Sequence, residues 1–241
     1  MYREKHSRSI IKTLSWRITA TVTTISLVWI FTGQLAAAFA IGGIEVFLKM
    51  FLYYLHERSW NKVSFGRVEV APFVLWFTGL PSSGKSTIAD AVYEELKKEN
   101  RKLERLDGEN VRQLFPKTGF SRKERIQHIE RVGYLSSILV KNNITVIASF
   151  ISPYRESRQF VRRLSINFIE IYLNTPLEVC EQRDPKGLYA RARKGEIKQF
   201  TGIDNPYEKP ENPNLTIDTV NKTVEENVKL IMKYLKERNL I

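Results

Sequence analysis

The sequence predicts an α/β P-loop domain, with a parallel sheet flanked by helices, preceded by a two-helix transmembrane hairpin. Three observations predict this fold class. Two long apolar segments fill much of the first 67 residues, a glycine-rich phosphate motif follows the next apolar run, and strand and helix patterns alternate after it. We therefore divide the chain into a membrane hairpin domain, residues 1–67, and a P-loop domain, residues 68–241.

Charge is distributed unevenly along the chain of 241 residues, whose formal net charge is +12. Residues 1–67 hold nine Lys and Arg against three Glu, which is half of the net charge. These basic residues flank an apolar block and do not alternate with it, so the excess charge predicts a lipid bilayer as partner and no nucleic acid. The single cysteine, Cys180, excludes an internal disulfide.

Residues 14–31 and 35–55 are the two apolar segments of the hairpin, and each is long enough to cross a bilayer core as a helix. The turn between them, "TGQ", holds no charge. Because basic residues lie before the first segment and after the second, the positive-inside rule predicts a multi-pass membrane protein with two spans and a cytoplasmic second domain. A buried hairpin in a soluble protein is the alternative.

Between Ile18 and Leu55 the only charged residues are Glu45 and Lys49. At a spacing of four residues on a helix they share one face, where they can neutralise each other or face a partner helix. The block, with "KTLSWR" and "GGIEVFLKMFLYYLHERSW", resembles the DUF2061 family of membrane domains over residues 7–62. That resemblance implies a membrane location and no chemistry.

The motif Gly79-x4-Gly84-Lys85-Ser86 lies between the apolar run "FVLWF" and the helical pattern "IADAVYEELKKEN". In this strand-to-helix context a P-loop wraps nucleotide phosphates with backbone N–H groups. Lys85 is expected to reach phosphate oxygens and Ser86 to bind Mg²⁺, so ATP and Mg²⁺ are the predicted cofactors. The residues expected to bind ATP are Gly79, Leu80, Pro81, Ser82, Ser83, Gly84, Lys85, Ser86 and Thr87.

The rest of the second domain alternates strand and helix patterns, and ligands of such sheets bind where strands end. Asp107 follows the second strand, so it is expected to organise Mg²⁺ or to accept the proton of an attacking hydroxyl. An N-cap of the next helix is the alternative and is compatible with both roles. Further strands are predicted at residues 102–106, 144–149, 167–173 and 214–219, and helices near residues 87–99, 122–142, 154–164, 176–182 and 221–238.

Several basic residues stand near the expected cleft, and together they predict an anionic phosphoryl acceptor. A compact domain with one P-loop and no obvious switch region indicates a small-molecule kinase. The basic residues are Arg112, Arg125, Arg131, Arg155 and Lys186.

Longer motifs make the interpretation specific. "FTGLPSSGKST", "LDGENVR", "GFS", "FISPYR" and "PLEVCEQRDPKGLYARARKGEIKQFTGIDNPYEKPENP" together resemble the adenylyl-sulfate kinase family, over residues 77–213. The resemblance implies an enzyme that phosphorylates the 3′-hydroxyl of adenosine 5′-phosphosulfate (adenylyl sulfate), with ATP and Mg²⁺, to give 3′-phosphoadenylyl sulfate.

The same resemblance implies roles for individual residues. Lys85, Asp107 and Ser152 would be catalytic, and Asp107 would serve magnesium and the acceptor hydroxyl. Family descriptions often assign this serine a phosphoserine role, although direct in-line transfer needs only positioning and charge. Phe120 would stack on the adenine of adenylyl sulfate. The residues expected to bind adenylyl sulfate are Arg112, Phe120, Arg125, Ile151, Ser152, Phe200 and the lid residues Lys186, Gly187 and Leu188.

Two departures from the family pattern fall on the acceptor side. His128 stands where the family usually has Asn, and Glu130 where it usually has Arg. Two other functions therefore stay open, a kinase of the same fold that acts on another anionic nucleotide or metabolite, and a catalytically silent membrane-tethered nucleotide sensor.

The hairpin is expected to concentrate product near a membrane protein or to drive oligomerisation, with a homodimer as the expected form.

Overall fold

The computed structural model describes residues 6–62, 71–99, 101–115 and 118–241. The chain divides into two compact units, residues 1–68 and 69–241. The boundary predicted between residues 67 and 68 lies outside the described residues.

The first unit contains a helical hairpin formed by α1 (His6–Thr32) and α2 (Leu35–Lys62). Gly33, in the turn, has a φ of 68°, which glycine adopts without strain, and its N–H donates to Trp29 O at 2.8 Å. The helices approach closely at Gly42, where a Cβ atom would lie 2.6 Å from Ile25 Cγ1. Gly42 permits this close approach, whereas a Cβ atom at Gly43 would have no atom within 4 Å.

Large apolar side chains of the hairpin point outward. Within the described residues, however, no helix has both the length and the apolar composition that crossing a membrane requires. The structure confirms a helical hairpin. It does not support the prediction that the two helices of the hairpin span a membrane. The exposed apolar side chains include Leu14, Ile18, Val22, Leu27, Trp29, Ile30, Phe31, Leu35, Phe39, Ile41, Ile44, Phe47, Leu48, Met50, Phe51, Tyr54 and Leu55.

The second unit is built on a parallel sheet, as predicted. Its described strands stand in the order β2-β3-β1-β4-β5, and each neighbouring pair is parallel. Every predicted strand is present, with ends that differ by at most two residues. The strands are β1 (Val74–Thr78), β2 (Leu103–Asp107), β3 (Thr145–Ser149), β4 (Phe168–Leu173) and β5 (Leu215–Ile217).

Helices cover both faces of this sheet. One face packs against α3 (Lys85–Lys97) and α9 (Val224–Glu237). The other packs against α4 (Gly108–Leu114), α5 (Arg122–Lys141) and α6 (Arg155–Leu164). These helices leave the carboxyl ends of the strands free to form a site.

The central strand β1 shows why both faces need cover. Leu75 and Phe77 belong to the core under α3 and α9, whereas Val74 and Trp76 belong to the core under α5 and α6. All four side chains are fully buried, because successive side chains of a strand point to opposite faces.

Two short helices, α7 (Leu177–Arg183) and α8 (Leu188–Arg193), form a small separate core with Phe200. Tyr189 of α8 packs edge-on against the Phe200 ring, with centroids 4.9 Å apart. The sequence predicts no helix at α8, because six residues are too few to show a helical period.

Candidate active site

One large cleft, with a cavity volume of about 1280 Å³, lies at the carboxyl ends of β1, β2 and β3. The P-loop, Asp107 and the loop that follows β3 all line it. The candidate residues that follow different strands therefore lie together, as expected at the carboxyl ends of the strands of a parallel sheet.

The P-loop connects β1 to α3 and lies close to β4. A Cβ atom at Gly79 would stand 3.0 Å from both Leu173 O and Ser83 Oγ, so only glycine fits there. Loop N–H groups therefore gather at the helix N-terminus, an arrangement that binds phosphate. Of the predicted ATP-binding residues, Gly79, Leu80 and Ser83 lie behind the cleft wall, and Pro81, Ser82, Gly84, Lys85, Ser86 and Thr87 line the cleft.

Lys85 is the buried cation of the loop. Its Nζ donates to Leu80 O at 2.5 Å and to Ser83 Oγ at 3.4 Å. Burial lowers the pKa of Lys85 to about 8. The ammonium thus donates to neutral oxygen atoms of its own loop, and phosphate oxygens can replace these acceptors when a nucleotide binds.

Asp107 lies where the P-loop meets the end of β2. Its Oδ1 accepts from the Glu109 N–H at 3.0 Å, which confirms the N-cap of α4. Its Oδ2 accepts from Ser86 Oγ at 2.9 Å. A hydroxyl and a carboxylate side by side are oxygen ligands of the kind that Mg²⁺ prefers, so Ser86 and Asp107 fit the predicted metal role.

Protein ligands for a metal are few around this pair. Within the described residues, no group of three or more His, Cys, Asp or Glu side chains could hold a metal ion. Mg²⁺ at Ser86 and Asp107 would therefore take its remaining ligands from phosphate oxygens and water, as it usually does beside a nucleotide.

The surroundings of Asp107 make it a weak base. Burial acts to raise its pKa, but hydrogen bonds from the Glu109 N–H and from the Ser149 and Ser86 hydroxyls, together with Arg105, outweigh burial and hold the pKa below its ordinary value. The carboxylate is therefore better suited to holding a cation and orienting a hydroxyl than to removing its proton.

Sequence reasoning missed Ser149 and Arg105. Ser149 ends β3, is in register with Asp107 of β2, and donates to its Oδ2 at 2.8 Å. Arg105 donates to Ser149 Oγ at 2.8 Å and to Asp90 Oδ1 at 2.7 Å. The signal was available in "ITVIAS", since a polar residue that ends a parallel strand lies beside the residue that ends its neighbour.

Arg112 and Phe120 form the predicted nucleobase side of the cleft. The Phe120 ring is 53% exposed, and the Arg112 guanidinium lies 4.4 Å from its centroid. Arg112 is held from behind by Thr118 O at 3.0 Å. An exposed ring beside a fixed cation is suited to stacking with a base and pairing with an anion.

Arg125 lines the cleft, but its guanidinium is bonded to the protein. It is 8% exposed and donates to Phe120 O at 2.7 Å, to Thr201 Oγ1 at 3.0 Å and to Gln199 O at 2.5 Å. It therefore joins the aromatic side of the cleft to residues 199–201.

Ser152 is buried, with 1% of its surface exposed and a left-handed φ of 38°. Its Oγ accepts from Trp76 Nε1 at 3.1 Å and donates to Thr78 Oγ1 at 2.9 Å. The Ser152 hydroxyl thus engages both its proton and a lone pair in hydrogen bonds with residues of β1. Ser152 and the neighbouring Ile151 both line the cleft.

The predicted lid residues lie on one side of the cleft. Lys186 pairs with the carboxylate of Glu109 on α4, so the lid is tied to the helix that follows Asp107. Leu188 and Phe200 line the cleft, whereas Gly187 precedes α8 and does not.

The two departures from the family pattern have different positions. His128 lines the cleft, is 4% exposed and has a buried Nδ1 without a hydrogen-bond partner. Glu130 lies on a separate surface groove, with Arg131, and does not line the cleft. Arg155 also lies outside it and pairs with Glu211. Of the five basic residues expected near the cleft, Arg112, Arg125 and Lys186 are there.

Comparison with known proteins assigns both parts of the chain. Residues 71–218 match the family model described as adenylylsulphate kinase, and residues 10–61 match the model described as a predicted membrane protein (DUF2061). An adenylyl-sulfate kinase of Halothermothrix orenii is 48% identical over 168 residues, which are 69% of this chain and 91% of that protein.

Solved structures show the same similarity. The Mycobacterium tuberculosis APS kinase CysC in complex with AMPPNP and APS has a TM-score of 0.67 and 38% identity, over 70% of this chain and 99% of that one. A hexameric APS kinase from Thiobacillus denitrificans has a TM-score of 0.56 and 30% identity, over 72% of this chain and 30% of that one.

Proposed function

The chain belongs to the adenylylsulphate kinase family, and from this premise we propose that it transfers the γ-phosphoryl group of ATP to the 3′-hydroxyl of adenylyl sulfate. The observation that carries the proposal is that the P-loop and the acceptor-side residues Arg112, Phe120 and Ile151 line one cavity. Its volume of about 1280 Å³ exceeds the roughly 300–1,000 Å³ of ordinary small-ligand pockets. Such a cavity is suited to two nucleotides.

The cleft residues act mainly by position and charge. Lys85 and the P-loop N–H groups bind the phosphates of ATP, and Arg112 and Phe120 bind the adenylyl sulfate. Ser86 and Asp107 would hold Mg²⁺, which would supply positive charge to the phosphate oxygens. Because phosphoryl transfer proceeds through a loose transition state, a hydroxyl oriented by the weakly basic Asp107 carboxylate is sufficient for in-line attack.

Ser152 acts in this proposal as a positioning residue for the loop after β3. The support is its burial and the use of its hydroxyl by Trp76 and Thr78. A covalent phosphoserine would require both bonds to break and a buried oxygen to reach the nucleotide.

The placement of the polar residues favours this function over its two alternatives. Lys85, Ser86 and Asp107 all line the cleft, and phosphoryl transfer requires such a set of phosphate-binding and magnesium-binding groups. Glu130 lies outside the cleft, so its negative charge does not face the sulfate of the acceptor.

The test uses the full chain with ATP, Mg²⁺ and adenylyl sulfate, and measures formation of 3′-phosphoadenylyl sulfate. Lys85→Ala and Asp107→Ala should each lower turnover on the order of 10²-fold or more, because each removes charge from the transition state. Glu130→Gln is the control, since it lies outside the cleft, and should leave turnover unchanged. Phosphorylation of a different acceptor, with none of adenylyl sulfate, would refute the proposal.

We further propose that the hairpin holds the enzyme at a membrane, as two short spans with the kinase unit in the cytoplasm. The support is the DUF2061 match at residues 10–61, the exposed apolar side chains of α1 and α2, and the basic residues that flank them. The full chain should stay in the membrane pellet after washing with salt and with alkaline carbonate. Release by either wash contradicts the proposal, and protease access to each terminus tests the two spans.

A homodimer is the proposed assembly. The support is that a similar structure, that of the Thiobacillus denitrificans enzyme, is hexameric. Light scattering of the detergent-solubilised chain should give twice the monomer mass after the detergent is subtracted.

A further inference from the structure

A buried carboxylate lies in the middle of the sheet. Glu170 of β4 is 6% exposed, and a carboxylate at such a site is costly unless it is paired. Two arginines of α6 pair with it, one on each oxygen. Arg158 Nε donates to Oε1 at 2.8 Å, and Arg162 Nη2 donates to Oε2 at 2.9 Å.

Arg158 has two further bonds that Arg162 does not. Its Nη1 donates to Ser152 O at 2.5 Å, and its Nη2 donates to Glu208 O at 2.6 Å. The side chain is 3% exposed, so these bonds are shielded from water. One guanidinium thus joins β4, the loop after β3 and the segment around Glu208.

The bond to Ser152 supports a strained backbone. A φ of 38° is one that residues with a Cβ atom rarely adopt, and such strain persists only when neighbouring groups hold it. Ile151 and Pro153, on either side of Ser152, line the cleft. The hold on the Ser152 carbonyl therefore fixes the wall of the cleft on the acceptor side.

The segment around Glu208 is bonded to the same loop. The Glu208 N–H donates to Pro153 O at 2.8 Å, and the Tyr207 hydroxyl lies 2.9 Å from Thr78 Oγ1, which in turn donates to Ile151 O at 2.8 Å. Loss of the Arg158 bonds would loosen both segments together, because Arg158 is bonded to both.

We propose that Arg158, oriented by the buried Glu170, is a positioning residue that sets the affinity for the phosphoryl acceptor. The inference rests on the proposed function for the identity of that acceptor. Arg158 is bonded to the acceptor-side loop and to no residue of the P-loop among its described hydrogen bonds, so the effect falls on the acceptor and not on ATP.

The experiment measures KM for adenylyl sulfate and for ATP in the full-length protein and in three variants. Arg158→Lys keeps the charge but cannot form all three bonds, and should raise KM for adenylyl sulfate by about tenfold or more while KM for ATP stays within about twofold. Glu170→Gln should give the same selective change, because it removes the charge that orients Arg158.

Arg162→Lys is the matched control. Arg162 pairs with the other oxygen of Glu170 and with Asn214, neither of which lines the cleft, so both KM values should stay within about twofold. An equal rise in both KM values for Arg158→Lys, no rise in either, or failure of both Arg158→Lys and Glu170→Gln to fold would overturn the proposal. Failure of the unaltered chain to phosphorylate adenylyl sulfate would instead refute the proposed function.

Discussion

Asp107 illustrates at the scale of a residue how neighbours select one chemistry of a side chain. Two hydroxyls and one backbone N–H donate to its oxygens, and the Arg105 guanidinium stands 3.5 Å away. Stabilisation of the anion favours a ligand of cations and weakens a base. The residue that ends β2 therefore works by its permanent charge.

Replacement of Ser152 by Ala tests whether its hydroxyl is structural or covalent. Turnover should fall by less than about tenfold, whereas stability should fall by about 1–3 kcal/mol because the Trp76 N–H loses its partner. Steady-state kinetics and thermal unfolding measure the two effects. Loss of turnover equal to that of Lys85→Ala, or a phosphate found on Ser152 by mass spectrometry, would contradict this role.

The pKa of Lys85 predicts a pH dependence of ATP use. With a pKa of about 8 in the free enzyme, Lys85 loses its charge as the pH rises through 8, so kcat/KM for ATP should fall about tenfold per pH unit above it. Bound phosphate stabilises the ammonium, so kcat at saturating ATP should change much less. A kcat/KM for ATP that stays constant to pH 9.5 would exclude this assignment.

His128 predicts a loss of stability in acid. Burial, with Arg112 and Arg131 nearby, lowers its pKa from 6.5 to about 4, so the unfolded chain takes up the proton first. This proton uptake leaves the free energy of unfolding unchanged above pH 6.5. Between pH 6.5 and 4 it lowers the free energy of unfolding by about 3 kcal/mol in total. Thermal unfolding of His128→Asn, which cannot titrate, should lack this loss. The same acid dependence in both proteins would disprove it.

At the scale of elements, the sequence was informative where a pattern is local and long enough. Strand patterns located all five strands, and the P-loop located the start of α3. The six-residue helix α8 was missed, because it is shorter than two helical turns. The bonds of Arg125 to Gln199 and of Arg158 to Glu208 join residues that are distant in sequence, and a single chain gives no local signal for them.

Helices α5 and α6 meet at a glycine, and this contact can be tested. A Cβ atom at Gly133 would lie 2.5 Å from Val161 Cγ2. Gly133→Ala should therefore destabilise the kinase unit by about 1–3 kcal/mol through overpacking, even though Ala gains about 1 kcal/mol in helix propensity. Unfolding of the full chain, followed by tryptophan fluorescence, measures this loss.

Val161→Ala provides the control for that contact. It removes the methyl groups that would clash, so the two substitutions together should cost less than the sum of their separate costs. A strictly additive double variant would show that α5 and α6 do not meet as described.

At the scale of the whole molecule, the cleft and the proposed membrane attachment belong to different units. Every described residue that lines the cleft belongs to the second unit, between Pro81 and Asn227. The first unit carries half of the formal net charge and the exposed apolar side chains. A single truncation should therefore separate the cleft from the proposed membrane attachment.

A chain that begins at residue 71 tests this division. It keeps both cores and the whole cleft, so it should fold, remain in the soluble fraction and retain kcat within about twofold of the full chain. Velocity measurements after ultracentrifugation check both expectations. A fragment that folds but lacks activity would show that the hairpin contributes to catalysis.

The edges of the sheet have a consequence for the proposed membrane attachment, which would confine copies of the chain to two dimensions. Molecules confined to a bilayer meet one another far more often than molecules in free solution, and unpaired strand edges then invite intermolecular β-pairing and precipitation. The outer strand β5 spans three residues, and the opposite outer strand β2 reads LERLD, with Glu104, Arg105 and Asp107 along it. The shortness of β5 and the charged residues of β2 therefore protect crowded copies of the chain from aggregation.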